Sequence, residues 1–172
     1  MKRGNSLVFA WLLIVFITQA QAAMAGVSAE AVESSLREGN PKATLEHFFS
    51  CEKYVGSAYE KIAMGSPRWI SIAESTLQYS DACYTEGIQS ALGSAMQKSP
   101  QHVLPLVDKT SLLSANYICL PFISNELPVQ SQIAEIVKSK RAIQRVHAKN
   151  LRTKKSSCLS FIESVEAQVR GQ

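Results

Sequence analysis

Three Asn-Pro or Ser-Pro pairs, Asn40-Pro41, Ser66-Pro67 and Ser99-Pro100, constrain this chain more than any other feature. Asn or Ser at a helix start accepts a bond from an orphan amide, and proline at the first helical position gives up no hydrogen bond. Gly39 stands two residues before the first proline and Gly65 two before the second, where helix-ending glycines belong. The pairs predict helix starts at 41, 67 and 100.

Between these marks apolar residues recur at helical intervals. Leu45, Phe48, Phe49, Val55, Tyr59 and Ile62 follow the first start, with one drift between Phe49 and Val55. Tyr84, Ile88, Leu92 and Ala95 repeat the pattern after Ser80. Pro128 opens a helix predicted to run past Ile133, Ile136, Val137, Ile143 and Val146 to Leu151. A last helix gathers Cys158, Phe161, Ile162, Val165 and Val169 on its apolar side. Ser28 to Glu38 reads as a further short helix, whose docking the sequence leaves open. No alternating apolar and polar run and no hairpin dipeptide calls for a strand. The expected fold is all-α, a small irregular bundle of six to eight helices. Stacked helical repeats are the weaker alternative, because the proline spacings of 26 and 33 residues differ and their flanks do not match.

Lys2 and Arg3, the apolar run Leu7 to Ile17 and the small residues ending at Ala22 have the order of a secretory signal peptide. Cleavage is expected after Ala22 or Ala25, leaving a single helical domain over residues 26–172. The apolar run is shorter than the roughly 20 residues a bilayer-spanning helix needs. No later segment is apolar enough to span, so the mature protein is expected to be exported and soluble, in a periplasm or outside the cell.

In that setting the even cysteine count, Cys51, Cys83, Cys119 and Cys158, reads as disulfides. Of the three possible pairings, the consecutive one, Cys51 with Cys83 and Cys119 with Cys158, is favoured because it clips neighbouring helices together. Four buried free thiols are the rival reading. No thiol has a spacing or a partner that suggests activation.

Charge is unevenly spread. Residues 26–126 hold seven Lys/Arg against eleven Asp/Glu, whereas residues 127–172 hold nine against three. Eight of those nine fall between Lys138 and Lys155, with no acid among them. Lys138, Arg141, Arg145, Lys149 and Arg152 step by three or four, which on one continuous helix aligns them as a stripe. The stripe falls opposite the apolar face of Ile133, Ile136, Ile143 and Leu151. Such a ridge is commonly just the solvated face of an amphipathic helix. As a binding surface it suits an acidic protein partner better than lipid, because its apolar side lacks aromatic anchors. Nucleic acid is disfavoured by the small net charge and the absence of interleaved aromatics.

Catalytic and ligand motifs are missing from the sequence. His47, His102 and His147 have no metal-ligand spacing, and no H-E-x-x-H or G-x-S-x-G occurs. His147 reads as a packed residue at the border of the basic helix, His102 as exposed, and Trp69 as core. Gly87 and Gly93 lie inside a helical pattern rather than in a phosphate loop. No cofactor, metal or catalytic residue is expected. The functional expectation is a binding or inhibitory module of the cell envelope that docks an acidic partner through Lys138, Arg141, Arg145, Lys149 and Arg152. The alternative is an envelope enzyme, or its accessory subunit, acting on cell-wall or glycolipid material. The oligomeric state is left open.

Overall fold

The computed structural model describes residues 26–52, 54 and 57–171; the expected signal segment, 1–25, lies outside them, as does Val55. Nine α-helices run through the described residues: α1 (Ala29–Arg37), α2 (Pro41–Phe48), α3 (Ala58–Ala63), α4 (Pro67–Leu77), α5 (Ala82–Lys98), α6 (Pro100–Val103), α7 (Ala115–Ile118), α8 (Val129–Gln144) and α9 (Arg152–Arg170). Short 3-10 turns sit at Leu104–Leu106, Ser111–Leu113 and Lys149–Leu151, and no strand occurs among the described residues. The count exceeds the expected six to eight because the apolar run from Leu45 to Ile62 is divided between α2 and α3, and because the four-residue α7 is too short to show a period. Helix lengths from 4 to 19 residues make this an irregular bundle rather than a stack of equal repeats.

Each of the three proline pairs starts a helix at the expected residue. Only the first works through its side chain: Asn40 Oδ1 accepts from the Ala43 amide at 3.1 Å. Ser66 and Ser99 supply the flanking backbone without a side-chain cap bond. Gly39 and Gly65 both take the left-handed conformation that stops a helix, at φ 82° and 81°. The drift in the apolar period after Phe49 marks a real break, since α2 ends at Phe48 and α3 begins only at Ala58.

Helix α5 lies at the centre, with α3, α4, α6, α7 and α8 packed around it. Ile88, Leu92, Ala95 and Met96 of this helix are fully buried. Its two glycines let other chain segments reach its backbone. A methyl group at Gly87 would stand 2.4 Å from the Tyr59 ring, and one at Gly93 would stand 2.0 Å from the Leu120 carbonyl oxygen. Glycine in a helix interior costs about 1 kcal/mol relative to alanine. Here that cost is offset by close packing of α3 on one side and of the Leu120-Pro121 crossing on the other.

Helix α1 is docked rather than free. Val32 is fully buried, and the guanidinium of Arg68 on α4 grips Glu33 through two bonds of 2.9 and 2.8 Å while also bonding Glu30. Trp69, next to this clamp, is buried in the core as expected.

The expected helix from Pro128 to Leu151 is interrupted. Helix α8 stops at Gln144, the chain turns through residues 145–148, and α9 runs back antiparallel. Lys155 Nζ donates to the carbonyls of Gln144 (2.6 Å) and Val146 (2.9 Å), which satisfies acceptors the helix end would otherwise orphan. Farther along the hairpin, Lys140 of α8 bridges Glu163 and Glu166 of α9 at 3.4 and 3.2 Å. No glycine or proline makes this stop; a lysine eleven residues away does.

Two disulfides close the structure in consecutive order. Cys51–Cys83 joins the segment after α2 to the start of α5, and Cys119–Cys158 joins the end of α7 to α9, with Cα separations of 5.6 and 5.4 Å. Cys51 and Cys83 are exposed, whereas Cys119 and Cys158 are completely buried. The segment between α6 and α7 is tied to α9 as well. Asp108, at φ 56°, accepts from the Ala115 amide and from the Ser157 hydroxyl, and Lys154 donates to the Val107 carbonyl.

Candidate functional site

The basic segment divides into cations with partners and cations without. Lys138 lies 3.6 Å from Glu135, and Lys140 holds its two glutamates on α9. Lys154 and Lys155 donate to backbone carbonyls. Glu166 is held below the usual carboxylate range by its bonds to Arg170 first and Lys140 second. Arg141, Arg145, Lys149 and Arg152 are exposed and have no carboxylate partner among the described residues.

Three of the five stripe residues come together. Lys138, Arg141 and Arg145 line a shallow groove of about 540 Å³, whose other wall includes Gln97 of α5 and Gln130 and Ile133 of α8. A second groove of about 430 Å³ shares Arg145 and Gln97 with the first and continues along Lys98, Gln101 and His147. Gln97 is itself fixed, donating to Ser139 Oγ and Glu135 Oε2 at 3.0 Å each. The shared residues therefore have a rigid floor.

Lys149 and Arg152 line neither groove. The turn after Gln144 takes them off the α8 surface, so the five cations do not form one helical stripe. The apolar face is corrected in the same way: Ile136 and Ile143 are fully buried alongside the buried polar residues Gln132 and Ser139, Ile133 borders the groove, and Leu151 belongs to the turn before α9. His147 is exposed in the turn, not packed at a helix border. His102 is half-buried, and its Nδ1 has no hydrogen-bond partner among the described residues. No cluster of three potential metal ligands occurs among the described residues.

Sequence reasoning missed a concavity larger than either basic groove. A groove of about 840 Å³ opens between the Cys51–Cys83 bridge, α5, α7, the Leu120–Ile123 segment and α9. Its aromatic lining includes Tyr54, Tyr117, Phe122 and Phe161. Beneath lies Tyr59, stacked on Tyr54 at 5.7 Å and edge-on to Phe49 at 5.3 Å. Burial pushes the Tyr59 hydroxyl far above its ordinary titration range, and its oxygen has no hydrogen-bond partner among the described residues. The one available signal was the pair of helical glycines, since Gly87 sets the floor and Gly93 admits the crossing that bears Phe122.

No protein-family profile matches the chain, and no curated protein and no solved structure is similar to it.

Proposed function

We propose that the protein is an exported binding module that docks an acidic partner through Lys138, Arg141 and Arg145, with inhibition of that partner as the outcome of docking. The observation that carries this reading is the contrast within the basic segment. Where α8 faces α9 its lysine is matched to glutamates, whereas Arg141 and Arg145 stand along a groove with no carboxylate partner among the described residues. Unmatched guanidiniums on a rigid floor suit carboxylates supplied from outside, which they grip in paired bonds. Two disulfides and the absence of any membrane-crossing helix among the described residues are compatible with work outside the cytoplasm.

The test is affinity capture from envelope and culture-supernatant extracts, with the disulfide-bonded protein run beside its Arg141→Glu/Arg145→Glu variant. The expected result is a protein held by the wild type whose affinity for the variant falls more than about tenfold, because like charges then face each other. Equal capture by both baits overturns the reading and turns attention to cell-wall or glycolipid substrates. Lys149→Glu/Arg152→Glu is expected to leave the affinity within about twofold, since rim charges outside the docked area act weakly.

A further inference from the structure

We infer that the 840 Å³ groove is a second binding site, distinct from the cationic face, and that it takes a small organic cation with an apolar body. Its volume falls within the range of small-molecule sites, roughly 300–1,000 Å³. The lining is aromatic and exposed to an unusual degree: Tyr54 is 41%, Tyr117 47% and Phe122 80% accessible. Water-facing aromatic rings gathered around one concavity mark a recognition surface.

Charge selects the occupant. Among the described residues, the charged side chains lining the groove are Glu52 and Glu86, and neither has a cationic partner there. An anion would meet two carboxylates. A neutral apolar molecule would strip water from them and return nothing, a net cost. A cation answers both features, since its charge faces the glutamates while the rings offer the negative faces of their π systems. An ammonium whose substituents are methyl or aryl groups also fills the apolar surface that Leu120, Ile123 and Val165 provide.

The site is built before anything enters it. Cys51–Cys83 pins one wall to the start of α5, and Gly87 lets the buried Tyr59 ring lie directly beneath the floor. The Leu120-Pro121 crossing over Gly93 fixes the opposite wall, and Cys119–Cys158 anchors that crossing to α9. Preorganisation of this kind reduces the ordering cost of binding.

The experiment titrates the isotope-labelled, disulfide-bonded protein with benzyltrimethylammonium and follows amide NMR shifts. Uncharged 2-methyl-1-phenyl-2-propanol and anionic phenylacetate serve as shape-matched comparisons. Saturable shifts are expected at Glu86, Gly87, Tyr117 and Phe122, with a Kd at or below about 1 mM. Glu52→Gln/Glu86→Gln is expected to weaken the cation about tenfold while leaving the alcohol unchanged, and Phe122→Ser is expected to weaken both. Arg141→Glu/Arg145→Glu, on the other face, should leave the titration intact, so this result is independent of the docking reading. Absence of saturable shifts at those residues by about 10 mM overturns the proposal. So does equal affinity for the cation and the alcohol, and so do shifts centred on Gln97 and Arg145.

Discussion

A methyl group at Gly93 would have to displace backbone, because the Leu120 carbonyl oxygen and carbon lie 2.0 and 2.4 Å from where it would stand. At Gly87 the obstacle is the Tyr59 ring, which is buried between α5 and the stacked Tyr54. Gly93→Ala is therefore expected to destabilise the fold by about 1–3 kcal/mol in urea denaturation, although alanine is the better helix former by about 1 kcal/mol. Gly26→Ala, with nothing within 4 Å of the added atom, is the control and should leave the midpoint in place. Unchanged stability in Gly93→Ala would mean that the Leu120 crossing does not press on the helix. The sequence shows that both glycines sit in a helical pattern, but the reason for each is a residue more than twenty positions away. No local window contains Gly93 and Leu120 together. For the same reason the aromatic groove, drawn from five segments, left no readable motif.

Between elements, the exposed ends of side chains do the joining. Arg68 of α4 holds Glu30 and Glu33 of α1; its bonds keep the Glu33 carboxyl below its ordinary value of 4.5, and Glu30 is kept below it by a backbone bond first and by Arg68 second. A carboxylate with a depressed folded pKa contributes stability that is fully present above its unfolded value and is lost as pH falls through the folded one. Thermal stability should accordingly fall below about pH 4.5 more steeply in the wild type than in Glu30→Gln/Glu33→Gln, read from melting curves across acid pH. Parallel curves would show that α1 is held by Val32 and its apolar contacts alone. Helix starts were legible at this scale because Asn40-Pro41, Ser66-Pro67 and Ser99-Pro100 write them into adjacent residues. The end of α8 was not, because the lysine that completes it comes from the next helix. That single turn breaks the apparent five-residue stripe and leaves Lys138, Arg141 and Arg145 as the cationic face.

For the molecule as a whole, the two bridges differ in access more than in span. Their cysteines are separated by 32 and 39 residues, so each loop constrains the unfolded chain by a similar amount, about 4 kcal/mol on the chain-entropy account. Cys51–Cys83 meets solvent at the rim of the aromatic groove, whereas Cys119–Cys158 lies in the core. Mild reductant with thiol alkylation, followed by mass spectrometry, should label Cys51 and Cys83 first; labelling of Cys119 and Cys158 should track global unfolding. Simultaneous labelling of all four would show that the core opens as readily as the rim. The consecutive order of the bridges also bears on how such a chain matures. In a chain delivered amino end first into an oxidising compartment, Cys51 would meet its mate Cys83 as the next thiol to arrive, and Cys119 would then meet Cys158. A donor oxidase acting on a chain that emerges in this way would produce the native pairing with nothing to reshuffle, and both bridges are then expected to form without a disulfide isomerase.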